Sequence, residues 1–254
     1  MAPNSLTLAE ARTLRRDLWW IEPMLVVLGL GGFIVYATWA AFQNAHYYVE
    51  PYLSPFYSPC ISVNCRKVSL PIIGSWWNLS PAFLILWIPG GFRVTCYYYR
   101  KAYYRSFFRS PPACAVRDAA KSYTGETGFP LILQNIHRYF FCLSLLILLF
   151  LWWDAVLAFN FSDGFGMGIG TLVLLINAVL LSLYSFSCHS CRHLCGGNLN
   201  LFSKAPLRYR SWQIATRLNE HHMLYAWMSL VWVAFTDLYV RLVATGTIYD
   251  VRLF

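Results

Sequence analysis

Charge is scarce in this chain: Asp, Glu, Lys and Arg make up 12% of its 254 residues, and only 11 residues are acidic. An average soluble domain carries about twice that share of charge. No Gly-x-Gly-x-x-Gly fingerprint occurs, so a dinucleotide-binding crossover is not expected. The cysteines number 8 and lie scattered, too sparse for a framework holding several soluble iron–sulfur clusters. Solenoid-type repeats and low-complexity tails are also absent.

Apolar residues dominate, at 58%, with 18% aromatic and a mean hydropathy of +0.46. Five stretches, at about 23–42, 77–99, 135–159, 168–187 and 222–245, are each long enough to cross a hydrocarbon core that needs about 20 residues. The reading is an all-α integral membrane protein, one domain over 1–254, with five transmembrane helices in one bundle. Residues 1–22 read as a short interfacial helix, with Leu6, Leu8 and Leu14 apolar and Trp19 and Trp20 at the membrane surface. The first stretch is too long for a cleaved signal peptide.

The formal charge of +9 raises the question of nucleic acid, and its distribution answers it. Arg12, Arg15 and Arg16 precede the first stretch. Arg100, Lys101, Arg105, Arg109, Arg117 and Lys121 follow the second, and Arg192, Lys204, Arg208, Arg210 and Arg217 follow the fourth. Alternate connections thus hold most of the basic residues, as the positive-inside rule requires of a plasma-membrane protein with a cytoplasmic N-terminus and an external C-terminus. Topology accounts for the charge, and no nucleic-acid partner is expected. In the first outer loop Cys60 and Cys65 are close enough to form a disulfide, which an external, oxidising location favours over metal binding.

Cys96, His137, Cys188, His189, Cys191 and His222 fall where four of the stretches reach the same side of the membrane. At a rise of about 1.5 Å per residue, Cys96 ends the second span and His137 begins the third. Cys188, His189 and Cys191 end the fourth, and His222 begins the fifth. One such residue alone would be packing; four helices delivering thiols and imidazoles to one depth point to a buried metal site. Cys188 lies highest in its span, while His193 and Cys195 lie too near the loop. Cys142 reads as mid-span packing, Cys114 as a free thiol and His46 as interfacial. Arg93 and Arg138, beside Tyr97 and Tyr139, could line a polar notch for a quinone headgroup or snorkel to lipid phosphate. Asp154, Asp237 and Arg241 lie toward the outer side, as a structural ion pair or a proton path.

The strings at 92–104 (Phe-Arg-Val-Thr-Cys-Tyr-Tyr-Tyr-Arg-Lys-Ala-Tyr-Tyr), 129–140 (Phe-Pro-Leu-Ile-Leu-Gln-Asn-Ile-His-Arg-Tyr-Phe), 188–197 (Cys-His-Ser-Cys-Arg-His-Leu-Cys-Gly-Gly) and 222–227 (His-Met-Leu-Tyr-Ala-Trp) resemble the single-chain membrane anchors of actinobacterial succinate dehydrogenases, the mycobacterial type F above all. The resemblance implies a five-helix anchor beneath a flavoprotein and an iron–sulfur subunit, which carry the flavin and succinate chemistry. It implies a Rieske-type [2Fe–2S] centre relaying electrons to menaquinone, in place of the b haems of other complex II anchors. Carried onto this sequence, the ligands are Cys96, His137, Cys188 and His222, with His189 and Cys191 as alternatives and no catalytic residue assigned. Cys191 and Cys195 depart from the pattern. Two other readings stand beside this one. A haem b anchor could join His137 to His222, although the outer half offers only His46. A scaffold or transporter could hold a structural zinc in a Cys₂His₂ site.

Overall fold

The computed structural model describes residues 15–62, 79–116, 131–197 and 199–254. Among the described residues four helices are long and apolar enough to cross a membrane: α1 (Ile21–Gln43), α4 (His137–Leu157, entered through a 3-10 turn), α5 (Ile169–Phe186) and α8 (His222–Ala244). The second expected span differs. Its helix, α2, runs only Ala82–Thr95 and covers about 21 Å. Cys96 then takes an extended conformation, φ −63° and ψ 130°, and the chain restarts as α3 (Tyr97–Ser106). That single extended residue is why the apolar stretch at 77–99 is not one helix. Residues 15–20 are likewise not helical; the rest of the expected interfacial helix lies outside the described residues.

The fourth span repeats the device. Cys188 is extended, φ −64° and ψ 145°, and separates α5 from the short α6 (His189–Gly196). Pro206, which has no N–H to leave unpaired, opens α7 (Pro206–Glu220). Helices α3, α6 and α7 carry Arg100, Lys101, Arg105, Arg192, Arg208, Arg210 and Arg217, so they mark one basic end of the bundle.

Helices α4, α5 and α8 pack side by side, α2 lies on α4, and α1 meets α3 and α8. Gly91 allows α2 its close approach, because a Cβ there would meet the Phe140 ring at 2.2 Å. The end opposite the basic one is closed by the hairpin of β1 (Tyr48–Val49) and β2 (Tyr52–Leu53), the adjoining turn Pro55–Tyr57, and a second hairpin, β3 (Asn160–Phe161) with β4 (Gly164–Phe165). Buried Asp237 anchors this cap. It accepts hydrogen bonds from Tyr36 at 2.6 Å, from Ser54 and from Arg241 at 2.7 Å, while Arg241 also donates to the carbonyls of Ala45 and Ala40. Such full pairing is what makes buried charge tolerable. Asp154 accepts from Ser58 in the same layer. Cys60 there is disulfide-bonded; Cys65 lies outside the described residues.

Candidate metal centre

Just inside the basic end, the breaks at Cys96 and Cys188 build two matching corners. In each, the cysteine N–H bonds the carbonyl three residues back (Arg93 or Ser185) and its own carbonyl accepts the first hydrogen bond of the next helix (from Arg100 or Arg192). Both cysteines thus occupy helix N-cap positions, without a capping hydrogen bond from the thiol. Both are buried, at 2% and 1% exposure. His137 and His222 are the first residues of the ascending helices α4 and α8.

The corners are cross-linked. His137 Nε2 lies 3.0 Å from Cys188 Sγ, and His222 Nε2 lies 3.3 Å from Cys96 Sγ. The other nitrogen of each ring is held by a hydroxyl: His137 Nδ1 is 2.8 Å from Thr95 Oγ1, and His222 Nδ1 is 2.7 Å from Ser187 Oγ. Thr95 donates its only hydroxyl proton to the Gly91 carbonyl, and Ser187 donates to that of Tyr184. With the hydroxyl protons on those carbonyls, each imidazole would carry its proton at Nδ1 and present its Nε2 lone pair to sulfur. This is the outer support that orients histidine ligands in metal sites. Phe92 stacks on His137 at 4.9 Å and 5°, and Tyr184 stacks on His222 at 5.2 Å and 15°.

Aromatic-x-x-hydroxyl-Cys thus occurs twice, as Phe92, Thr95, Cys96 and as Tyr184, Ser187, Cys188. Sequence reasoning passed over Thr95, Ser187, Phe92 and Tyr184. The signal was readable: each motif ends a descending span, and each following span begins with histidine.

Of the six expected donors, four form two Cys–His contacts, His137 with Cys188 and His222 with Cys96. His189 points outward on α6, and Cys191 lines a different pocket with Phe141, Leu145 and Cys195. Among the described residues no three metal-capable side chains gather for a single ion; the four donors stand as two Cys–His pairs. Two thiols and two imidazoles with free lone pairs fit a binuclear iron–sulfur centre in chemistry. The same donor set also suits a tetrahedral zinc in chemistry.

Arg93 does not join Tyr97, Arg138 and Tyr139 in a notch. It turns into the bundle, donating to Tyr99 at 2.5 Å, Ser229 at 3.0 Å and the Ala226 carbonyl at 3.2 Å, and lies over the Tyr184 ring at 4.6 Å. Among the described residues no carboxylate pairs with it. Tyr97 and Tyr139 face outward at 69% and 64% exposure, and Arg138 lies over Tyr139. Cys142, expected as packing, is exposed on α4; Cys114 is an exposed free thiol.

Fold and site together define a multi-pass helical membrane subunit with a buried Cys₂His₂ donor set. The family described as actinobacterial succinate dehydrogenase subunit SdhC matches residues 21–246, and the chain belongs to that family. It is therefore a membrane-anchor subunit of a succinate dehydrogenase, part of an oxidoreductase complex. A chain of the solved structure titled "Mycobacterium smegmatis Sdh1 complex in the apo form" is 51% identical, with a TM-score of 0.87 over 95% of this chain and 94% of that one. No curated protein matches the chain.

Proposed function

We propose that this subunit sits beneath a flavoprotein and an iron–sulfur subunit and relays their electrons to menaquinone through a Rieske-type [2Fe–2S] cluster. Cys96, His137, Cys188 and His222 would hold the cluster. The observation that carries this reading is the pair of imidazoles pinned at Nδ1 by Thr95 and Ser187, with both Nε2 atoms aimed at buried sulfurs.

A centre of this kind supplies one-electron transfer at a potential raised by its histidines, about −150 to +300 mV across such centres. Succinate releases two electrons and two protons as it becomes fumarate on the partner subunits; menaquinone takes up two of each and becomes the quinol. This chain's part is to bind, orient and tune. Two thiolates and two neutral imidazoles bring two negative charges to the centre, and reduction adds one more. Arg93, half-buried and paired with no carboxylate among the described residues, favours that added charge. The aromatic rings of Phe92 and Tyr184 keep water from the imidazoles. The basic residues of α3, α6 and α7 support a cytoplasmic location for this end, in a plasma membrane.

Low-temperature EPR of the dithionite-reduced complete complex tests the reading. A Rieske signal, with iron and acid-labile sulfide, is expected in the native complex and absent from His137→Ala and His222→Ala. An unchanged signal in both variants, b-haem bands without labile sulfide, or stoichiometric zinc without iron would overturn it.

A further inference from the structure

Cys191 and Cys195, which take no part in the electron relay, sit one turn apart on α6. Both are free thiols, Cys191 at 9% exposure and Cys195 half-buried. The Cys195 side chain lies within interaction range of the Cys191 thiol. Both line a cleft of about 370 Å³ between α4, α5, α6 and α7, whose walls are mostly apolar, Phe141, Leu145, Phe186 and Leu207 among them. Arg208 lines the same cleft. It is fixed there by donating from Nε to the Cys195 carbonyl at 3.2 Å and from Nη2 to that of Gly197 at 2.8 Å. The cleft thus combines two soft donors with one fixed positive charge, and no carboxylate lines it. Among the described residues no third metal-capable side chain gathers with the two thiols.

We propose that Cys191 and Cys195 form a two-thiolate site for a soft monovalent cation, Cu(I) in chemistry, separate from the set of Cys96, His137, Cys188 and His222. Spacing on the helix decides between a bound ion and a disulfide. Side chains four residues apart on a helix keep their Cβ atoms about 5–6 Å apart, whereas a disulfide draws them to about 3.5–4.5 Å. Closing that bond would deform α6. Two thiolates on one ion, at about 2.3 Å per metal–sulfur bond, hold their sulfurs about 4.6 Å apart and leave the helix intact. Softness and charge then select the ion. A hard cation finds no carboxylate in the cleft, and zinc would need two further donors to complete its tetrahedron. Cu(I) accepts two thiolates in line. On binding, both thiols release their protons, so two negative charges meet one positive ion. The single negative charge that remains is matched by Arg208 in the same cleft.

The test is an anaerobic titration of the complete complex with Cu(I) buffered by a chromogenic Cu(I) chelator. A tightly held copper is expected, with X-ray absorption showing a two-coordinate shell of sulfur. Cys191→Ser combined with Cys195→Ser should lose it. Cys195→Ser alone should weaken it on the order of a hundredfold, the upper end of what losing an outer-shell partner costs a metal site. Cys114→Ser with Cys142→Ser is the control and should keep it. If the α6 variants do not assemble, the native complex serves: copper should protect Cys195, and not the exposed Cys114, from N-ethylmaleimide. Copper retained by the double variant, nitrogen or oxygen neighbours in the absorption spectrum, or Cys195 labelled equally with and without copper would overturn the proposal. So would copper gained only as iron is lost, which would put the ion on the cluster donors. The titration needs no electron transfer, so the relay reading and this site stand or fall separately.

Discussion

Thr95 Oγ1 stands 2.8 Å from Nδ1 of His137, one residue before Cys96 in sequence, and so turns the free nitrogen of that ring toward the opposite cysteine, Cys188. Ser187 does the same for His222 and Cys96. Each corner therefore orients the imidazole that faces the cysteine of the other corner.

Thr95→Val keeps the shape of the side chain and removes the acceptor. Iron content or quinone reduction should fall about 10–100-fold, the usual cost of losing an outer-shell partner of a metal ligand. Thr95→Ser should restore both. A Val variant with native iron content and a native EPR line shape would show that Thr95 is only packing.

Arg93→Gln removes a positive charge close to the centre. Reduction adds a negative charge, so loss of the guanidinium must disfavour the reduced form and lower the midpoint potential. A drop on the order of 60 mV, equal to a tenfold change for one electron, is expected in an EPR redox titration. A rise in potential would contradict the assignment of Arg93 as the compensating charge.

Gly91→Ala places a Cβ against the Phe140 ring, with contacts of 2.2 to 2.6 Å that the packing cannot keep. Overpacking of this kind costs about 1–3 kcal/mol. Because it pushes α2 from α4, it should also loosen the Thr95–His137 hydrogen bond and reduce bound iron. Gly31→Ala, where nothing lies within 4 Å, is the control, and thermal unfolding of the detergent-solubilised complex reads the difference.

Asp237→Ala strands the Arg241 charge in the bundle with only the Ala45 and Ala40 carbonyls left to accept from it. Breaking a buried pair from one side costs about 3–5 kcal/mol, so the thermal midpoint should fall clearly. Asp237→Leu combined with Arg241→Met should recover much of the loss, since the pair serves packing and caps the Tyr36–Ser54 corner. If the double variant keeps its stability but loses quinol formation, the pair belongs to a proton path instead.

The membrane class, four of the spans and the shared depth of the donors could all be read from the chain. Bilayer thickness converts apolar length into depth directly, and Cys96, His137, Cys188 and His222 had to fall near one level. Hydropathy, however, runs along one dimension and holds no azimuth: a helix turns its side chains by about 100° per residue. Depth therefore could not tell Cys188 from Cys191, or show that Arg93 faces inward while Tyr97 and Tyr139 face out. Those choices came from two extended cysteine corners and the close approach of α2 to α4 at Gly91. The sequence alone determined which residues reach the site's depth; tertiary packing decided which of them meet, because only packing sets the rotation of each helix about its axis.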